Sequence, residues 1–346
     1  MQNTRLFDKV YGALIGGLIG DAMGAASESM TWQAIKEKFG EIRDFEGAGT
    51  DDSAIKHILC EAYIENGGYA TADEFAASFL KNKKYFPLFY IPVRNMFHKI
   101  ETDLVNPIDA GYGNMQSSST AMAISPVGII NAGNPRQAAA EAFDIAGLVH
   151  SGPSGFCRDA ACAVAAMVAE AMKPSPTVES VLEAATAYLH KTSSKTIKNE
   201  IGRVMEAVKR INNYEGFREW FYGNCLQKVG CDSRETVPCV MALFYLAKGD
   251  PEKVIIYAAN FGRDTDTIGT MAGAIAGAYK GASGIKQEWV KKVEAAGNTL
   301  QSTSQDFGME QVVQKDQRQL AETLIGIINI RRKEFQRILD QLGSMA

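Results

Sequence analysis

The chain has 346 residues, 46% of them hydrophobic and 22% charged, enough apolar material for a substantial core in an otherwise ordinary charged sequence. A net charge of -4, from 36 basic and 40 acidic residues, excludes nucleic-acid phosphates as a general partner. No apolar stretch reaches the roughly 18 residues of a bilayer span. Met1-Gln2-Asn3-Thr4-Arg5 also lacks the basic-then-apolar order of a secretion signal. A cytoplasmic protein with no membrane partner is expected.

The first predicted element is the apolar run Val10 to Ile19, which Asp21 ends and which reads as a buried helix. Gly12, Gly16, Gly20 and Gly24 recur along it at every fourth position. Thr71-Ala72-Asp73-Glu74 is a capping box that opens a helix through about Lys84. The segment from Tyr85 to Gly128 contains Pro87, Pro92, Pro107, Pro126 and the tract Ser117-Ser118-Ser119-Thr120, and reads as loop-rich. Asn134-Pro135 and Asp250-Pro251 each set a cap residue before a proline at the first helical position. Leu182, Ala185 and Leu189, then Val204, Val208 and Ile211, keep helical spacing. A second stripe of Gly269, Gly273, Gly277 and Gly281 follows near the end of this region. From Gly308 onward, Leu320, Leu324, Ile327, Ile328, Phe335, Ile338 and Leu342 predict one or two added amphipathic helices, a candidate homodimer contact. Arg331-Arg332-Lys333, interleaved with Glu334 and Asp340, reads as a solvated face. Alternating β patterns are scarce, so the expected fold is all-α: one compact multi-helix domain over 1–300, with 301–346 a helical extension packed on it.

Each helical glycine costs about 1 kcal/mol relative to alanine. Two stripes of them persist where backbones must approach closely. Two core helices packed through these glycines would hold whatever lies at their ends in one rigid place. The six cysteines (Cys60, Cys157, Cys162, Cys225, Cys231, Cys239) show no Cys-x-x-Cys spacing and read as buried thiols in a reducing compartment.

The chemistry-bearing residues lie at the mouths of helical runs. Phe261-Gly262-Arg263-Asp264-Thr265-Asp266-Thr267 places two carboxylates and hydroxyls at the start of the second glycine stripe, and Gly49-Thr50-Asp51-Asp52-Ser53 repeats the pattern far upstream. Asp and Thr in such places are ordinary N-caps. A cap needs one side-chain oxygen, however, and these clusters carry a surplus of negative charge. Carboxylates so close raise each other's pKa unless a cation stands between them. Together the clusters read as two halves of a site for a hard, oxygen-loving cation.

At these residues the chain resembles the ADP-ribosylglycohydrolase family. The matching pieces are Gly12 through Gly24 with Glu28 following, Thr50-Asp51-Asp52-Ser53, Gly113-Asn114 with Ala121-Met122 and Ser125-Pro126-Val127-Gly128, His150-Ser151, and Gly262 through Gly269. The resemblance implies an all-α bundle with two Mg²⁺ or Mn²⁺ ions in a cleft, and hydrolysis of the bond at ribose C1″ of an ADP-ribosylated protein, nucleic acid or small molecule. It implies Thr50, Asp51 and Asp52 on one side of the metal pair and Asp264, Asp266 and Thr267 on the other. Glu28 matches an acid that ligates a metal or acts on the attacking water, and Glu28, Asp51 and Asp266 would be catalytic. Gly111, Tyr112, Gly113 and Asn114 would lie along the ADP-ribose, Tyr112 would offer a ring to stack on, and His150 would line the same pocket.

Departures fall on the substrate side. Arg263 stands where the family usually has Gly and would meet either a phosphate or an acid. The Gly-Asn loop is stretched by Met115 to Thr120, and Ala123 replaces a frequent Arg. Two alternatives carry different chemistry: a non-catalytic ADP-ribose-binding or structural relative, and another all-α metalloenzyme, either a terpene synthase or a metal-dependent nucleotide hydrolase. Against the second, Asp51-Asp52-Ser53-Ala54-Ile55 lacks the third acid of a prenyl-diphosphate motif, and no Asp follows His150.

Overall fold

The computed structural model describes residues 4–296, 299–300, 312–313 and 316–345. In chain order the helices are α1 (Arg5–Ala25), α2 (Trp32–Phe39), α3 (Asp51–Glu65), α4 (Ala72–Lys81), α5 (Ile91–Glu101), α6 (Ser125–Ile130), α7 (Pro135–Gly147) and α8 (Gly155–Ala171). They continue as α9 (Val178–Ala187), α10 (Lys195–Ile211), α11 (Tyr214–Asn224), α12 (Ser233–Leu246), α13 (Pro251–Ala259), α14 (Thr265–Lys280), α15 (Gln287–Ala295) and α16 (Gln317–Gly343). A two-residue ladder, Thr299–Leu300 against Val312–Val313, is the only sheet among the described residues.

The central pair is α1 and α14. Thr4 caps α1 by accepting from the Phe7 amide at 3.1 Å, and nearly every residue from Phe7 to Gly24 is buried. Every residue of α14 from Thr265 to Ala278 is buried as well. A helix covered on all sides belongs in the interior. The two run antiparallel, with Gly12 facing Gly277, Gly16 facing Gly273 and Gly20 facing Gly269. A Cβ on Gly16 would stand 2.5 Å from the Gly273 carbonyl oxygen, and one on Gly20 or Gly269 would collide with the other's backbone. The glycine stripes are therefore a backbone-to-backbone seam, and Gly281, at φ +82°, caps the end of α14. Lys9 reaches from α1 to the carbonyls of Ala171 and Ala278 at 2.7 and 2.9 Å, a cation at two helix C-termini.

Around this pair, α8, α12 and α13 pack on α14, while α3, α6, α15 and α16 pack on α1. The Thr71 capping box and the Asn134 and Asp250 caps form as the sequence indicates. Three details differ from sequence-based expectation. Asp21 ends an apolar run but no helix, because α1 carries it fully buried to Ala25. The loop-rich middle contains α5, with Pro92 in the first turn, where its missing amide proton has no partner to lose. The C-terminal region forms one helix, α16, within the one or two expected, and residues 301–311, 314–315 and 346 of the expected extension lie outside the described residues. Arg331 is not solvated: it is 2% exposed, paired with Glu141 at 2.6 Å and bonded to the Gly68 carbonyl at 3.3 Å, while Arg332 and Lys333 are exposed.

Candidate metal centre and its cavity

Both acidic clusters sit at helix N-termini, and the seam aims those termini at one cavity. Thr50 is the N-cap of α3 and accepts from the Asp52 amide at 3.3 Å. Asp264 occupies the N-cap position of α14 yet makes no side-chain cap bond. The positive ends of two helices thus face the carboxylates and favour their charged form. Thr267, one turn into α14, donates to both oxygens of Asp52 at 3.1 Å, which ties the clusters together directly.

Asp21 supplies the anchor. Its Oδ2 accepts from the Thr50 amide at 3.0 Å, the Ser53 amide at 3.1 Å and the Ser53 hydroxyl at 2.6 Å. It fixes the turn that presents Asp51 and Asp52. Glu28 arrives from the α1–α2 connection. There the Ser29 amide donates to the Arg263 carbonyl, and the Arg263 amide to the Met30 carbonyl, each at 2.7 Å. Ser29 and Arg263 both hold left-handed backbones, φ +64° and +72°, one residue beyond Glu28 and one before Asp264. Such conformations cost roughly 1–3 kcal/mol each and persist where the surroundings enforce them.

Carboxylate oxygens of Glu28, Asp264 and Asp266 lie within 4.8 Å of one another. Burial, then the Glu28 charge, pushes Asp264 up to about 8. Burial, then Asp21 and Glu28, pushes Asp51 up to about 7. Asp52 and Asp266 are raised well above the usual carboxylate range, by burial and then by Asp266 and Glu28 respectively. Burial raises Glu28 and Asp21 too. Asp264 Oδ2 and Asp266 Oδ1 are buried with no hydrogen-bond partner. Clustered carboxylates, two of them with an orphaned oxygen, fit a hard divalent cation, which removes the mutual repulsion and fills empty lone pairs.

The cavity above these acids has a volume of about 440 Å³. Of the expected site residues, Glu28, Asp51, Asp52, Arg263, Asp264, Asp266 and Thr267 line it, and Thr50 stands behind them as the cap. The remaining expected residues gather elsewhere. Asn114 donates to the carbonyls of Pro92 and Val149 at 3.0 and 2.8 Å, and Ser151 donates to the Gly111 carbonyl at 3.3 Å. His150 is fully buried between Ser117 and Thr120, at 2.9 and 3.1 Å, and burial drops its pKa to about 3. Gly111, Tyr112, Gly113, Asn114 and His150 are absent from the cavity lining. Of these, His150 braces the Ser117–Thr120 stretch, whose Ser118 and Ser119 do line the cavity. Arg263 meets an acid: its guanidinium bonds Glu235 at 2.8 and 3.1 Å and the Gln227 carbonyl at 2.7 Å.

Sequence reasoning passed over Asp21 as an anchor, and Ser118, Ser119, Met122, Tyr90, Arg94 and Cys231 as lining. The run of four small hydroxyl residues at 117–120 was a usable signal, since all are buried at 4% exposure or less. Arg94 and Cys231 carried none.

The ADP-ribosylglycohydrolase family model matches residues 2–320. The chain belongs to this family. It is accordingly a hydrolase of the ADP-ribosylglycohydrolase glycosidase type. It is 29% identical over 304 residues to the uncharacterized protein YegU of Escherichia coli K12, covering 80% of this chain and 89% of that one. It is 23% identical over 340 residues to ADP-ribosylhydrolase ARH3 of Bos taurus, covering 84% and 90%. A solved structure titled an ADP-ribosylglycohydrolase-related protein complex superposes with a TM-score of 0.66 at 22% identity, over 93% of this chain and 99% of that chain. That likeness supports the all-α fold. Among the described residues, no helix is long and apolar enough to cross a membrane.

Proposed function

We propose that this chain hydrolyses the N- or O-glycosidic bond at ribose C1″ of ADP-ribosylated proteins, nucleic acids or small molecules, releasing ADP-ribose. The observation that carries the reading is the pair of orphaned buried oxygens on Asp264 and Asp266, set against Glu28 and tied to Asp52 through Thr267. Two divalent cations, Mg²⁺ or Mn²⁺, fit this set. Thr50, Asp51 and Asp52 would hold them from one side, Asp264, Asp266 and Thr267 from the other, with Glu28 completing the shell. When bound, such ions supply Lewis acidity, which lowers the pKa of water and orients ribose hydroxyls.

The protein's own part follows from carboxylate placement. Cleavage at C1″ builds positive charge on the ribose ring, and carboxylates fixed beside it by α3 and α14 stabilise that charge without rearranging. Glu28 sits on a connection instead of a helix and is only half-buried, so it is the acid placed to take the proton of an attacking water. Asp51 and Asp266 hold the ribose face. Thr267 and Asp21 keep the two helix ends in register.

A panel of arginine-, serine- and cysteine-linked ADP-ribosyl protein, ADP-ribosylated nucleic acid and free nucleotides tests the reading, each scored for released ADP-ribose with and without Mg²⁺ or Mn²⁺. Release that needs metal is expected. Phosphate or diphosphate release with no ADP-ribose would transfer the site to nucleotide hydrolysis. Binding of ADP-ribose with no turnover of any conjugate would favour the non-catalytic alternative.

The same reading places the chain in the cytoplasm, supported by its six free cysteines. It treats residues 1–300 as the catalytic domain and 301–346 as its extension, supported by α16 packing on α1. A homodimer contact at the far end of α16 is supported by Phe335, Ile338, Leu339 and Leu342, which continue its apolar stripe yet are exposed. A monomer in sedimentation at all concentrations would remove that last assignment.

A further inference from the structure

The cavity lining holds two cations, and they differ in what already occupies them. Arg263 is neutralised by buried Glu235 and its remaining reach is taken by the Gln227 carbonyl. The side chain of Arg94, half-buried on α5, makes a single hydrogen bond among the described residues, from Nη2 to the Pro87 carbonyl at 2.7 Å. Its Nε is buried with no partner, and its guanidinium carbon lies 5.9 Å from the Phe86 ring centre. No carboxylate within ion-pair distance compensates it among the described residues. The nearby hydroxyls are engaged: Ser118 with Thr236 and Ser233, Ser119 with Ser117. Of the two lining cations, Arg94 is therefore the one with donors to spare.

A cavity floored with carboxylates repels anions. A ligand that puts a ribose against those acids and carries a diphosphate a few bonds away needs a fixed positive charge at that distance. A planar guanidinium with free N–H donors matches phosphoryl oxygens in geometry as well as charge. We propose that Arg94 binds the diphosphate of the substrate and so makes this cavity selective for phosphorylated ribosyl ligands. The assignment rests on the ADP-ribosyl reading given above.

Calorimetric titration of the EDTA-treated protein with ADP-ribose, ADP and adenosine tests it, since no cation is then present to hold the phosphates. Arg94→Gln is expected to weaken ADP-ribose and ADP roughly tenfold to a hundredfold and to leave adenosine unchanged. Arg94→Lys should recover part of the loss, and in the metal-loaded enzyme KM should rise while kcat stays within about threefold. Unchanged ADP binding in Arg94→Gln overturns the proposal. So does an equal loss for adenosine in both variants, which would mark Arg94 as packing against Phe86. Wild-type protein that binds ADP through Arg94 but rejects ADP-ribose in EDTA and with Mg²⁺ alike sinks the hydrolase reading and leaves the phosphate site standing. Wild-type protein that binds neither in EDTA overturns the Arg94 site, while the hydrolase reading stands or falls on the metal-loaded turnover panel.

Discussion

Replacing Asp264 with Asn is expected to stabilise the metal-free protein and to abolish its response to divalent cations. Burial and Glu28 lift the Asp264 carboxyl from 3.8 to about 8. At about pH 7.5 the unfolded chain ionises this group freely, whereas the folded chain resists. Protonation linkage costs about 1.4 kcal/mol for each pH unit in that gap, so Asp264 acting alone would destabilise the fold by roughly 5 kcal/mol. The repulsion is shared with Glu28, Asp51 and Asp266, so removing one charge relieves a fraction, about 1–2 kcal/mol. With an unfolding entropy of about 2 cal/mol/K per residue, that is a rise of roughly 1.5–3 °C in Tm for a chain of this length. Thermal melts in EDTA, repeated across a Mg²⁺ or Mn²⁺ titration, read both effects. Wild-type protein should gain Tm with metal and Asp264→Asn should not. If Asp264 were only a helix cap, Asn would serve nearly as well. Its Tm in EDTA would then match wild type and its metal response would survive, which would refute the reasoning.

The metal-free wild-type protein should lose stability as pH rises. Asp51 and Asp264 have folded pKa values of about 7 and about 8, above their unfolded values, so their contribution is fully present below about pH 4 and is lost through pH 7 to 8. Melts in EDTA between pH 5 and 9 should slope downward and flatten when metal is added; a rising slope contradicts the assigned electrostatics. Gly16→Ala puts a Cβ 2.5 Å from the Gly273 carbonyl oxygen and is expected to cost about 1–3 kcal/mol despite alanine's helix propensity. Chemical denaturation showing no loss would mean that the seam can open freely. Arg263→Ala strands Glu235, which is 1% exposed, and should cost about 3–5 kcal/mol. Adding Glu235→Gln should restore much of that, and failure to do so would show that the pair is not the reason Arg263 matters.

Much of this protein is legible without coordinates because its signals are local or periodic. The Thr71 box and the Asn134 and Asp250 caps act within one helical turn, so the residues that decide them are neighbours in sequence. The glycine stripes keep a four-residue period, which exposes a continuous ridge on any helix that forms there. The surplus acids in Thr50-Asp51-Asp52 and Asp264-Thr265-Asp266 exceed what capping needs, and that excess is visible in a string of letters.

Tertiary structure decided what each of those residues touches. His150 and Asn114 bond to Ser117, Thr120, Pro92 and Val149, because folding put those partners, up to 35 positions away, beside them. Asp21 became the anchor of the Thr50–Ser53 turn only once α1 was buried next to α3. Arg263 found Glu235, 28 positions earlier, while Arg94 found a single carbonyl, and no local pattern distinguishes two arginines with such different fates. Periodicity fixes which face of a helix is apolar. Partner choice for a lone polar side chain depends on which elements arrive beside it, and only the folded chain specifies that.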